Sequence, residues 1–225
     1  MTNPHQTKLL KAIQKLGFTH SIWSVYSDFI EICAVAIANS VNRKHFDERE
    51  KRFHDTMKKY NKNEQTLLAD MFVDLTNALD YEITHRGAPS DVLGAIFHDL
   101  ELHSHYKGQF FTPQHVCNAM GAIALHDLID TVKQQGHISI SEPACGSGAL
   151  VLGFAKAMLD AGFNYCNQLV VTATDIDIKC VHMAFVQLSL YGIPAIVIHG
   201  NTITLEKYSC WHTPIYIIHG FKNKT

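Results

Sequence analysis

His137-Ile138-Ser139-Ile140-Ser141-Glu142-Pro143-Ala144-Cys145-Gly146-Ser147-Gly148 is the stretch that decides the fold. His137 to Ser141 reads as a short strand, the small residues after Glu142-Pro143 as a tight turn, and Ala149 to Ala161 as a helix. The same grammar continues with a strand from Gln168 to Thr174, a helix from Lys179 to Tyr191 and a strand from Ala195 to His199. Strand, helix, strand, helix, strand is the signature of a parallel sheet joined by right-handed crossovers. Such sheets take ligands at the carboxyl ends of their strands.

Upstream the period changes. From Lys8 to Leu128 apolar residues recur three and four apart, as in Leu67, Met71, Leu75 and Leu79 beside Leu68 and Phe72. The segment predicts a stack of about five helices. Asn63 is a candidate cap for a helix entering at Glu64, Gly87 ends it, and Ser90 can cap the next, which runs through Leu93, Phe97 and Leu100. There is no internal repeat, low-complexity tract or flexible linker.

With 225 residues, 47% of them hydrophobic, the chain has ample material for a core. Its longest uninterrupted apolar run, Ile32 to Ala38, falls short of the ~20 residues a bilayer demands, and Met1 to His5 lacks a secretory apolar region. No membrane association is expected. The six cysteines (Cys33, Cys117, Cys145, Cys166, Cys180, Cys210) form no CxxC pair, and reduced thiols in a cytoplasm are the simplest reading. The net charge of -2 excludes a wholly basic nucleic-acid binder, but Arg43 to Lys62 carries +4 and the remainder -6. That stretch suits either a DNA-backbone contact or, because acids are interleaved, an exposed amphipathic helix. Phe46, Phe53, Met57 and Tyr60 within it have the spacing of core contacts.

At the loop, backbone N-H groups and a helix N-terminus face the crevice, so something polar or anionic should dock there. Two glycines alone say little. A dinucleotide fingerprint wants a third glycine where Val151 stands, and no GxxxxGK[ST] occurs for a P-loop. The second strand ends Thr174-Asp175-Ile176-Asp177, placing a carboxylate where it can accept bonds from two ribose hydroxyls, with Ile176 offering an apolar face to a purine. The plain alternative is that Asp175 and Asp177 cap the next helix. After the third strand, Asn201 is either an amide reading an adenine edge or a turn residue following Gly200. Cys145 at a helix start reads as structural, and His98, His103 and His105 as solvated or helix-terminal side chains, so no metal is expected.

Together these residues resemble the adenine-specific N6 DNA methyltransferases, in particular the modification subunits of type I restriction systems. Gly108-Gln109-Phe110-Phe111-Thr112-Pro113 resembles the family's G-[QE]-[FY]-[FY]-T-P motif, which contacts the methionine end of S-adenosylmethionine. Thr112-Pro113 is also sound helix-start chemistry, with Thr112 as cap and Pro113 in the first turn. Glu142-Pro143-Ala144-Cys145-Gly146-Ser147-Gly148 is similar to the cofactor loop D-P-[AF]-[CA]-G-[ST]-G, with Glu for Asp. Thr174-Asp175-Ile176-Asp177 stands for Q-E-I-N, Met183 to Ile193 is similar to the helix that follows, and Gly200-Asn201-Thr202 stands for Gly-Asp-Thr. The likeness runs from Val92 to Thr204 with the motifs in family order. It implies an α/β fold: an incomplete Rossmann-like S-adenosylmethionine-dependent methyltransferase domain over 108–225, with a partial sheet, preceded by an all-helical domain over 1–107. It also implies S-adenosyl-L-methionine as cofactor, held by Phe111, Thr112, Pro113, Glu142 to Gly148, Asp175, Ile176 and Asn201, and DNA as a partner.

The family's catalytic [NDS]-P-P-[YF] motif, which holds a flipped adenine against the cofactor's methyl group, has no counterpart, because the six prolines are never adjacent. Only 24 residues follow Asn201, and the chain is expected to be truncated before that motif, with one further strand over Ile215 to Ile218. His212-Thr213-Pro214-Ile215-Tyr216 offers a proline and an aromatic ring as a conceivable substitute. No catalytic residue is assigned. The expected function is S-adenosylmethionine binding, with adenine-N6 methylation of DNA helped by a partner subunit or second copy that completes the sheet. The alternative is a non-catalytic DNA- or partner-binding regulatory protein derived from a modification methylase.

Overall fold

The computed structural model describes residues 2–102 and 111–220. The chain divides into two compact units, Met1–Gly87 with Val92–Phe110, and Ala88–Asp91 with Phe111–Thr225.

The first unit contains α1 (Pro4–Leu16), α2 (Ile22–Val41), α3 (Phe46–Met57), α4 (Lys62–Arg86) and α5 (Val92–Asp99). The periodic residues of α4 behave as their spacing requires, with Leu68, Met71, Leu75 and Leu79 buried. Its cap, however, is Asn61 and not Asn63. Glu64 stands three residues after Asn61, so its carboxylate accepts the Asn61 N-H at 2.9 Å while Asn61 Oδ1 accepts the Glu64 N-H at 3.1 Å. Only that spacing closes the reciprocal pair. A second asparagine, Asn3, caps α1 and ties it to α4 by donating to the Ala78 carbonyl at 2.9 Å and to Glu82 Oε1 at 2.8 Å. Helix α2 is long and apolar enough by composition to cross a bilayer. Its charged residues are instead engaged within this unit: Asp28 receives Lys59 at 2.9 Å and the Tyr60 hydroxyl at 3.0 Å, and Glu31 pairs with Arg52. Val25, Phe29, Ile30 and Val35 of α2 lie in the unit's core.

The second unit contains α6 (Gln114–His126), α7 (Ile129–Gln135), β1 (Ile138–Glu142), α8 (Ala149–Asp160), α9 (Tyr165–Gln168), β2 (Leu169–Asp175), α10 (Ile178–Leu190), β3 (Ala195–Asn201), β4 (Glu206–His212) and α11 (Pro214–Ile218). The sheet order is β1-β2-β3-β4, and the first three strands are parallel. In register Ile140 faces Val171 and Ala173 faces Val197, so the ends of β1, β2 and β3 come together at one rim. This is the Rossmann-like half-sheet that the alternation of elements predicts.

Its far side differs from the expectation. The further strand is β4, antiparallel to β3, and Ile215 to Ile218 belongs to α11. Pro214 explains the exchange: it has no N-H for a ladder, and its fixed φ suits a first helical turn. Thr213 anchors the corner, its N-H donating to the Ala195 carbonyl at 3.0 Å and its hydroxyl accepting from the Ala195 N-H at 2.9 Å. Trp211, buried, packs against His182 and Phe185 of α10.

Helices α6 and α8 cross at two glycines. A Cβ on Gly121 would lie 2.5 Å from the Gly153 carbonyl oxygen, and one on Gly153 would lie 2.4 Å from that of Cys117. Beside this crossing, an apolar cavity of about 370 Å³ borders β1, lined in part by Met120, Ala124, Ile140 and Phe154. Because main chain meets main chain, Gly153→Ala has no side chain to push aside. It should lower unfolding stability by about 1–3 kcal/mol, read by chemical denaturation.

Candidate functional site

The rim where β1, β2 and β3 end is assembled by short local contacts. After β1, Glu142 accepts the Ala144 N-H at 3.0 Å, turning the chain. Gly146 and Gly148 follow with φ of +53° and +95°, backbone values that side chains disfavour. Gly148 then caps α8, so the sequence has glycines where the turn needs them.

The turn is fastened to β2 in two places. Cys145 N-H donates to the Thr174 carbonyl at 2.9 Å, and Gly146 N-H donates to Asp175 Oδ2 at 2.9 Å. The other oxygen of Asp175 accepts the Asp177 N-H at 2.8 Å. Of the two carboxylates for which the sequence left helix capping open, only Asp177 is the cap of α10. Asp177 caps α10 by accepting the Lys179 N-H at 2.9 Å, whereas Asp175 holds the turn. A carboxylate has about four acceptor sites, so Asp175 keeps capacity for a further donor. Burial raises the pKa of Asp175, and the bonds from Asp177 and Gly146 partly offset that.

The other sequence candidates surround this link. The Phe111 ring lies against Gly146, at 3.0 Å from where a Cβ would stand. Thr112 and Pro113 are exposed, and Pro113, not Thr112, occupies the cap position of α6, its carbonyl accepting from Val116 at 2.9 Å. The helix starts one residue later than the motif suggests. Gly108, Gln109 and Phe110, like His103 and His105, lie outside the described residues. Pro143 and Ala144 are exposed, Ile176 is 57% exposed beside Asp175, and Ser147 is buried. Asn201 turns its oxygen to the Ile203 and Thr204 N-H groups at 2.9 and 3.2 Å, making the β3-β4 turn. Thr202 closes the rim by donating to the Pro143 carbonyl at 2.6 Å.

Sequence reasoning missed Thr202 as a link, and it missed Asp91 and Gln187, which bind Ser147 from behind. Gln187 carried a signal: a polar residue on the face of α10 that also presents Ala184 and Leu188. The conceivable substitute motif is overturned. Because β4 runs antiparallel, Glu206 pairs with Asn201 at the rim while His212 pairs with Ile196 at the opposite end. Pro214 and Tyr216 thus sit about 20 Å from the loop, at some 3.3 Å per residue. Tyr216 is 1% exposed and packs with Val170 and Ile196, so its ring faces the core and cannot stack on a base at the rim.

The charge of the rim is informative. A helix start with free N-H groups favours an anion, but Glu142 and Asp175 flank it, and both raise the pKa of the buried Cys145, after burial itself. Two carboxylates beside the turn oppose a pyrophosphate and suit a ligand with cationic and hydroxyl groups. The residues therefore fit a nucleoside sulfonium better than a dinucleotide.

The N-6 DNA Methylase family matches residues 90–219. The chain belongs to this family. The N-6 methylase match thus covers the whole rim, from Ser90 to His219. No curated protein matches the chain. Among solved structures, a putative class I S-adenosylmethionine-dependent methyltransferase from Listeria monocytogenes is similar at 14% identity and a TM-score of 0.46, over 90% of this chain and 55% of that one. The chain spans little more than half the length of that structure.

Elsewhere, four cations of the basic segment are ion-paired, two of them to α2. Lys51 and Lys58 both meet Asp55, Lys59 meets Asp28 and Arg52 meets Glu31, the pattern of an ion-paired amphipathic helix. Among the described residues no group of three or more His, Cys, Asp and Glu is placed to hold a metal ion.

The buried, charge-flanked Cys145 should resist alkylation in the folded protein, whereas the exposed Cys210 should react first. Mass spectrometry of peptides after brief iodoacetamide treatment reads the order, and early labelling of Cys145 would contradict this account of the turn.

Proposed function

We propose that this N-6 DNA methylase family chain binds S-adenosylmethionine at the rim of β1, β2 and β3 and serves adenine-N6 methylation of DNA. The observation that carries the reading is the Asp175 carboxylate, fastened to Gly146 at 2.9 Å with lone pairs left over. That placement lets it accept ribose hydroxyls while the turn stays closed. Ile176 offers the adenine an apolar face, Asn201 the amide N-H groups left when its oxygen makes the turn, and Phe111 stands beside Gly146 toward the methionine end. Thr112, Pro113 and the Glu142 to Gly148 turn complete the wall. Bound there, the cofactor supplies an electrophilic methyl group on a sulfonium, whose positive charge the Glu142 and Asp175 carboxylates favour.

Because the sequence has no adjacent prolines and Tyr216 is in the core, the groups that would hold a target adenine come from a partner subunit or a second copy. Among the described residues β1 and β4 are the outer strands, and β1 is the one bordered by the apolar cavity, which supports completion of the sheet on that side. DNA recognition, a place in restriction and modification, and a cytoplasmic setting belong to the same proposal. The second reading, a non-catalytic regulatory protein that binds DNA or a partner, is favoured by the burial of Tyr216.

Two measurements separate these readings. Calorimetric titration with S-adenosylmethionine should give saturable heat, and Asp175→Ala should weaken binding about 10- to 100-fold, since each buried bond to a charged group is worth about 1.5–3 kcal/mol. Absence of heat from the unmodified protein ends the cofactor reading. Incubation with unmethylated DNA and methyl-labelled cofactor, alone and with cell extract, then reads activity. Label with the protein alone means an autonomous enzyme, label only with extract means completion in trans, and no label in either means a non-catalytic role.

A further inference from the structure

Behind the turn lies a carboxylate that none of the cofactor motifs contains. Asp91 belongs to the short segment Ala88–Asp91, which groups with the second unit although it precedes α5 in sequence. Its Oδ2 accepts the Ser147 hydroxyl at 2.5 Å and its Oδ1 accepts the Gln187 amide at 2.9 Å. The same Gln187 amide also donates to the Ser147 carbonyl at 2.8 Å. Ser147 is 1% exposed and Gln187 0%, so these bonds are shielded from water and charge-assisted.

Asp91 is itself held from two further directions. Its N-H donates to Gln114 Oε1 at 2.8 Å, at the first residue of α6, directly after Phe111-Thr112-Pro113. One residue earlier, Ser90 exchanges two bonds with the Tyr191 hydroxyl, donating at 3.2 Å and accepting at 3.0 Å. Asp91 is thus the residue where the turn and helix α10, through its carboxylate, meet the start of α6, through its backbone N-H.

Ser147 is the residue that most needs such an anchor. It stands between Gly146 and Gly148, both at positive φ, so its backbone neighbours supply the least stiffness any residue can. We propose that Asp91 is a positioning residue of the cofactor site: it does not touch the ligand, but fixes Ser147 and through it the backbone of the turn. The Asp91 backbone N-H, bonded to Gln114, ties the same residue to the segment that follows Phe111. The inference rests on the proposed cofactor reading only for its ligand, because ordering of the turn is measurable without one.

The test is a cycle of Asp91→Ala, Asp91→Asn and Ser147→Ala in the full chain. It is read by hydrogen exchange over 142–150, by calorimetry with S-adenosylmethionine and by thermal unfolding. Asp91→Ala should speed exchange in 142–150 by ~10-fold or more while exchange in β2 stays near its starting rate, the mark of a local opening. Cofactor affinity should fall ~10-fold, and adding Ser147→Ala should cost little more, because the two act as one unit. Asp91→Asn keeps the shape. Its oxygen can still accept from Gln187 and its amide can donate to a turned Ser147 hydroxyl, so it should recover most of both losses. Unchanged exchange in Asp91→Ala, or fully additive losses with Ser147→Ala, would overturn the proposal. If Asp91→Ala does not fold, Asp91→Asn alone and on Ser147→Ala decides. A small loss that vanishes in the Ser147→Ala background supports the link, and an equal loss in both backgrounds overturns it. Should the unmodified protein give no heat with S-adenosylmethionine, the cofactor reading fails and the exchange data still decide whether Asp91 orders the turn.

Discussion

The bond from the Gly146 N-H to the Asp175 carboxylate joins the two strand ends on which the site depends. Parallel strands bring β1 and β2 side by side, but nothing in a ladder fixes the loop that leaves the sheet. Here a side chain from the second strand reaches across to the backbone of the first loop. Cys145 repeats the reach at the next atom pair through the Thr174 carbonyl. With the loop pinned, its glycines hold positive φ without wandering, and α8 starts in a defined direction. A burial cost accompanies the arrangement, visible in the raised pKa of Asp175, and the N-H groups that hold the carboxylate offset part of it.

Much of this was legible in the sequence because it is local. The ends of β1, β2, β3, α8 and α10 fall within one or two residues of their predicted places, since each is marked by a change of period or a turn residue. Family motif order then pointed to the same rim. What escaped reading was set at long range. Glu206 to His212 shows little alternation and becomes a strand because β3 offers an edge and Trp211 a buried anchor. The asparagine that caps α4 was chosen by a glutamate three residues on, which a glance at candidate caps does not weigh.

The helical unit shows a related lesson about charge. Its run of lysines and arginines looked like a surface awaiting an anion, yet the acids that answer them come both from within α3 and from α2. Sequence counts reveal the first kind and hide the second. Asp28 and Glu31 sit more than twenty positions from their partners, so the pairing is a product of helix packing.

The placement of β1 has a consequence for solution behaviour. Among the described residues β1, like β4, has a neighbour on one side only, and such an edge is a template for any extended segment that meets it, including another copy's β1. The strand blunts this by being only five residues long and by showing Ser139 and Ser141 to water. Hydroxyls and brevity lower the pull toward edge pairing without abolishing it. Edge pairing between copies is therefore a route to association that a sheet closed on both sides would not offer.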